Sequence, residues 1–171
     1  MGKFTHKPSD AWSWRRAIHT DVEAIMDLMA TQYQCEVDEI FSISRTRMGY
    51  HLHQAILQQS YLPNQELLGV AIKDNQVIAW HWLTRGGYQP YSDLEMATGE
   101  FVHVDLDLSA RTKIQLCAQI LEQWQAWCLV NAIPVLASTS IREEHGAFMQ
   151  LHRKMGFKVN GSYAIKRINN E

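Results

Sequence analysis

The chain has 171 residues, 46% of them hydrophobic and 20% charged, the composition of an ordinary globular domain whose core needs no disulfide or metal staples. Sixteen Lys and Arg against eighteen Asp and Glu leave a net charge of −2, so no broad field draws the molecule to nucleic acid or to an anionic membrane. The cysteines, Cys35, Cys117 and Cys128, form an odd set without a C-x-x-C pair and read as reduced thiols of a cytoplasmic protein. No apolar run reaches the ~20 residues that span a bilayer, and MGKFTHKPSDAW lacks the apolar stretch of a signal peptide. The expectation is an intracellular protein with a polar lead, residues 1–11, and a single domain, residues 12–171.

Residues 14–18 alternate as a short strand, and Thr20-Asp-Val-Glu23 supplies a capping box that opens a helix. Val22, Ile25, Met26 and Met29 give that helix one apolar face. A second helix over 44–59 repeats Met48, Leu52, Ala55 and Ile56 with the same period and is closed by Pro63 and Asn64. From Glu66 the period changes to two, with Leu68, Val70 and Ile72 on one face, a turn at Asp74-Asn75, and a second strand over 77–83. Residues 86–93, GGYQPYSD, read as a long loop before a strand over 100–106. Ile114, Cys117, Leu121, Trp124 and Cys128 mark a long helix that stops at Asn131, followed by a strand over 133–138. Ser140-Ile-Arg-Glu143 caps a last helix that buries Phe148, Leu151 and Met155 and ends at Gly156. Asn160-Gly161 then reads as the turn of a terminal hairpin. The order β α α β β β α β α β β predicts an α/β (α+β) layer fold.

That order, with Leu151-His-Arg-Lys-Met-Gly-Phe157 ahead of a hairpin, resembles the GCN5-related N-acetyltransferase (GNAT) superfamily over nearly the whole domain. The resemblance implies a mixed, mostly antiparallel sheet with helices on both faces. It also implies acetyl-CoA as co-substrate, held where the fourth strand leads into the third helix, with an amine of a small molecule or protein as acceptor. The pantetheine arm is expected along the backbone of His103, Val104 and Asp105, and the phosphates at Arg111, Thr112, Lys113, Ile114 and Gln115. A helix N-terminus suits such anions through its unpaired N–H groups and dipole. Arg111, Lys113 and Gln115 stand where the family has small residues, chiefly glycines. Their side chains either supply charge-assisted contacts or obstruct the cradle.

Acyl transfer to an amine needs a base and an acid. Glu100, His103 and Asp105 are the base candidates, Glu100 first by analogy with the family; the alternative for each is a solvated sheet edge. His152 stands where many family members carry an acidic Tyr; the alternative is a partly buried helix residue. Ser138, Thr139 and Ser140 are further candidates for contacts with cofactor or acceptor, Ser140 equally an N-cap. No metal site is expected: His51 and His53 face apart at i, i+2, and Cys117 and Cys128 lie ~16 Å apart along one helix. Trp80, Trp82, Trp124 and Trp127 read as core or interface aromatics, and exposed tryptophans would favour a homodimer or larger assembly. Two functions follow. One is acetyl-CoA-dependent N-acetyl transfer; the other is a catalytically inactive GNAT-fold protein with a structural or interaction role, such as a phage virion or accessory protein, because compact phage-encoded members with a similarly eroded glycine loop look alike.

Overall fold

A computed structural model describes residues 12–36, 42–140 and 146–160, the side chains of 34–36 excepted. Its five strands lie in chain order: β1 (Ser13–Arg16), β2 (Glu66–Lys73), β3 (Gln76–Tyr88), β4 (Glu95–Val104) and β5 (Val135–Ser138). The first four are antiparallel neighbours, and β5 runs parallel to β4. Helices α1 (Val22–Glu36) and α2 (Arg45–Tyr61) cover one face and α3 (Ala110–Val130) the other, with α4 (Gly146–Lys154) packed on α3. This is the mixed, mostly antiparallel sheet with helices on both faces that the resemblance implies. Among the described residues no helix is long and apolar enough to cross a membrane.

Alternation divides the core. Leu68, Val70 and Trp80 face α1 and α2, where Val22, Ile25, Met26, Met29, Leu52, Ala55 and Ile56 meet them. Leu83 and Ala97 face α3, against Ile120, Leu121, Trp124 and Cys128. The β2–β3 turn puts Asp74 (φ 49°) and Asn75 (φ 63°) in the left-handed region, the turn whose twist suits a two-residue hairpin. Ser44 caps α2 by accepting the N–H of Arg47 at 3.3 Å.

Several boundaries differ from the sequence reading. The entry to α1 is made by Asp21 rather than a Thr20–Glu23 box: its carboxylate accepts the Ile18 N–H at 2.8 Å and grips Arg15 at 2.6 and 2.7 Å. Burial raises the Asp21 carboxyl, but Arg15 and the Ile18 N–H outweigh it and hold it below its usual range. Strand β3 continues to Tyr88 and β4 begins at Glu95, so the loop shrinks to 89–94. Gly86 (φ 99°) sits where the register skips a residue, and Arg85 clamps Glu95 at 2.6 and 2.8 Å, so turn-forming glycines lie inside a strand. Ile114 is exposed, because α3 buries Leu116, Ile120, Leu121, Trp124, Trp127 and Cys128 and a residue two before Leu116 points about 200° away. Ile133 is not in β5; its N–H closes α3 on the Cys128 carbonyl at 2.9 Å, past the left-handed Ala132. In α4 the buried residue is His152, with Phe148, Leu151 and Met155 half-buried, and Gly156 (φ 88°) ends it. The Ser140–Glu143 box and the terminal hairpin reach beyond the described residues. Trp80, Trp124 and Trp127 are buried and Trp82 half-buried, so these four are core aromatics and not an exposed dimer face.

Candidate functional site

The site begins with one extra residue. Trp82 pairs with Phe101 and its neighbour Leu83 with Gly99, so Glu100 is a bulge in β4. Pairing between β4 and β5 covers only Met96–Gly99 and Val135–Ser138 and stops at that bulge. A bulge bends its strand and increases its twist; past Gly99 the ladder between β4 and β5 ends, and space opens alongside residues 100–104. The opening is a groove of about 180 Å³ lined by Gly99 to Val104, Leu106, Ser138, Thr139 and Ser140, by Lys113, Cys117 and Trp124 of α3, by Gln32 and Tyr33 of α1, and by Phe148. A single water needs only ~10–15 Å³, so the groove admits a molecule of several heavy atoms.

The outer end of the groove is the start of α3. Ser109 caps it, its Oγ accepting the Thr112 N–H at 3.2 Å, and Lys113 is the first residue to donate along the helix, to the Ser109 carbonyl at 2.9 Å. The preceding N–H groups, those of Ala110 and Arg111, have no acceptor within the helix. Lys113 extends its ammonium to the Leu106 carbonyl at 3.0 Å, which lays one positive charge across this mouth. Arg111 is exposed. Ile114 and Gln115 are exposed and point away from the groove, so of the five residues expected at the phosphates only Lys113 lines it.

Glu100 lies on the α1/α2 side, where its carboxylate accepts the Thr84 hydroxyl at 2.7 Å. Nearby Glu66 accepts the Trp82 indole N–H at 2.9 Å; burial raises its carboxyl, the Trp82 bond opposes this, and the Glu100 charge adds to the rise. His103 is buried, stacked on Trp80 with ring centres 4.9 Å apart, and its Nδ1 meets the Gln32 amide oxygen, while the Gln32 amide nitrogen donates to the Val104 carbonyl. Val104 turns its side chain to Leu116 on the α3 face. Asp105 does not share a strand face with His103, because β4 ends at Val104. Its N–H goes to the Ile78 carbonyl at 2.8 Å and its Oδ1 accepts the Asp107 N–H at 2.9 Å, so it turns the chain and does not line the groove.

His152 also lies off the groove lining. Its ring is edge-on to Phe148 and Phe157, at 4.4 and 4.8 Å between centres, and Nδ1 donates to the Phe148 carbonyl at 2.8 Å. Nε2 is buried and has no hydrogen-bond partner among the described residues. Burial lowers the pKa of this imidazole, partly offset by the Phe148 carbonyl. With Nδ1–H held by the Phe148 carbonyl, the ring stands apart from the groove in which a proton donor is expected. His53 turns from His51 but its Nδ1 meets that of His19 at 2.8 Å.

Sequence reasoning passed over Gln32, Tyr33, Trp124 as a groove residue, and Phe148. Gln32 had a signal: it continues the buried stripe of Ile25 and Met29 at helical spacing, a polar residue where an apolar one is expected. Burial raises the Tyr33 phenol.

No protein-family model and no curated protein matches the sequence. Solved structures do. An aminoglycoside antibiotic 6'-N-acetyltransferase from Acinetobacter haemolyticus is 17% identical with a TM-score of 0.65, covering 92% of this chain and 99% of its own. A glucosamine-6-phosphate N-acetyltransferase from Arabidopsis thaliana is 14% identical with a TM-score of 0.67, covering 93% and 99%. An aminoglycoside N-acetyltransferase in complex with CoA is 15% identical with a TM-score of 0.66, covering 94% and 96%. At these identities the likeness is one of architecture, and the chain has the GNAT fold of these N-acetyltransferases.

Proposed function

We propose that this chain is an N-acetyltransferase that takes an acetyl group from acetyl-CoA and passes it to an amine. The observation that carries the reading is the groove at the Glu100 bulge, which runs from the end of the β4–β5 ladder to the N-terminus of α3. A groove that runs along a strand suits an extended amide-bearing arm, and the first turn of α3 suits phosphates.

The dimensions agree. Lys113 and Trp124, eleven residues apart on α3, both line the groove, a span of ~16 Å at the helical rise. A phosphopantetheine arm has ~13 bonds from phosphorus to sulfur, and at the reach of an extended chain it spans about 16 Å. With phosphates at Ala110, Arg111 and Lys113, the sulfur falls at Gly99 and Glu100. When bound, acetyl-CoA supplies an activated thioester there. Glu100, on the face of α1 and α2, takes the proton that the amine sheds as it attacks, directly or through a water. Lys113 neutralises phosphate charge. His152 is given no proton-transfer role in this reading, and solvent protonates the departing thiolate. The neighbours named for aminoglycosides and for glucosamine-6-phosphate act on amino sugars, which supports a small amine as acceptor.

Thermal unfolding with and without acetyl-CoA tests the reading. Ligand at 100 times its dissociation constant adds about 2.7 kcal/mol, several degrees for a domain of this size. No shift at millimolar acetyl-CoA overturns the enzyme reading and returns the inactive GNAT-fold alternative, in which Lys113 obstructs the mouth it crosses.

A further inference from the structure

Lys113, Cys117 and Trp124 line the groove from one stripe of α3, and Trp124 stands at its inner end. The six-membered ring of the indole lies on Gly99: a β-carbon there would come within 2.3 Å of both Cη2 and Cζ3. Gly99 is also the last β4 residue paired with β5, opposite Ser138. Further in, the two strands are hydrogen-bonded, and the ~4.8 Å between paired strands leaves no passage. The indole is held in place. Its Nε1–H donates to His81 Nδ1 at 2.9 Å, and His81 is wedged over Gly69, where a β-carbon would meet Nε2 at 2.3 Å.

We infer that Trp124 sets the length of the acyl group, admitting acetyl and rejecting longer chains. This rests on the acyl-transfer reading above. An arm of ~16 Å ends at the level of the indole, and each further methylene of the acyl group adds about 1.2 Å that the sealed strand pair and the fully buried ring do not concede. Trp124 touches the acyl end and takes no part in proton transfer, so it governs which donor binds, not how fast a bound acetyl group moves.

The test is binding, by calorimetry, of CoA, acetyl-CoA, butyryl-CoA and hexanoyl-CoA to the wild type, Trp124→Phe and Trp127→Phe, the last a buried indole of the same helix that does not line the groove. The wild type is expected to bind hexanoyl-CoA about tenfold or more weaker than acetyl-CoA, as a pocket that excludes methylenes does. Trp124→Phe keeps an aromatic ring in the core and is expected to narrow that gap at least threefold, while Trp127→Phe leaves it. Equal affinity of the wild type for all chain lengths overturns the inference and leaves the acetyltransferase reading standing. So does a gap that Trp127→Phe closes, or one that folded Trp124→Phe leaves unchanged. Failure of the wild type to bind CoA in any form overturns the acetyltransferase reading itself, and this inference with it. Should Trp124→Phe not fold, Trp124→Met takes its place with the same expected and overturning results.

Discussion

The indole N–H of Trp124 donates to Nδ1 of His81 at 2.9 Å, and this bond settles which imidazole nitrogen carries the proton. Nε2–H is left to donate to Gln123 Oε1 at 3.3 Å. A second proton on the ring has to displace Trp124, and burial pushes the His81 pKa from 6.5 down to about 4, the Gln123 bond opposing. Between those values the unfolded chain binds more protons than the native one, so stability rises with pH there. It is complete above 6.5 and lost as pH falls toward 4, to the extent of about 3 kcal/mol. Urea midpoints at pH 7 and pH 4.5 measure it. His81→Asn, which does not titrate, is expected to show a smaller fall between the two pH values, and an equal fall would place the acid sensitivity elsewhere.

Gly99 and Gly69 are each seated under a ring. Ala at either place puts a β-carbon 2.3 Å from Trp124 or His81, neither of which is a flexible tail. Overpacking of this kind costs about 1–3 kcal/mol, a drop of ~3–9 °C in Tm for a chain of this length. Calorimetric melting of the two variants checks this; an unchanged Tm would show that the rings yield.

Glu100→Gln removes the base and keeps the oxygen that accepts from Thr84. Turnover of an amine acceptor, followed by thiol release, is expected to fall about 100-fold or more, with the stabilisation by acetyl-CoA retained. His152→Asn keeps a donor toward the Phe148 carbonyl and is expected to leave the rate within about threefold, well short of the ~100-fold that a lost proton donor costs. A large loss in His152→Asn would restore the ring to the reaction.

Arg111→Ala with Lys113→Ala is expected to weaken acetyl-CoA binding about tenfold, the worth of a charge-assisted hydrogen bond, and to flatten the dependence of affinity on salt. Calorimetric titration at two salt concentrations reads both. Tighter binding would mean that the cations obstruct the mouth.

Periodicity made the helices and the β2–β3 hairpin legible, because Val22, Ile25, Met26 and Met29 or Leu68 and Val70 reach the core by spacing alone. Strand β4 was half hidden. Its first residues, Glu95-Met-Ala-Thr-Gly99, have weak strand preference and are ordered by neighbours: β3 on one side, β5 on the other and Arg85 on Glu95. The α3 stripe was read with Ile114 included because hydrophobicity does not say where a helix projects past its sheet. Of the groove lining, Glu100 and His103 are legible from their strand and Lys113 from the resemblance. Helical spacing puts Trp124 in the core, but its position beneath the groove depends on Gly99 and on where two strands part, which no local spacing encodes. His152 stands in the sequence between a proton donor and a partly buried helix residue; Phe148 reaches it at i−4 on the same helix, but Phe157 closes over the ring from beyond the Gly156 stop, which helical spacing does not encode.

The bulge at Glu100 also fixes handedness of another kind. Side chains on a strand change sides with each residue, so one inserted residue exchanges the faces of everything after it. Phe101 and His103 point to α1 and α2 and Val102 and Val104 to α3 only because Glu100 is there to be skipped. Delete that single residue and β4 has two choices: it keeps its ladder with β3 and presents imidazole and phenyl rings to the α3 core, or it keeps its core and slips its ladder. The same insertion that opens the cleft therefore guards the strand's register, and the carboxylate rides on the one position in β4 that the sheet itself does not use.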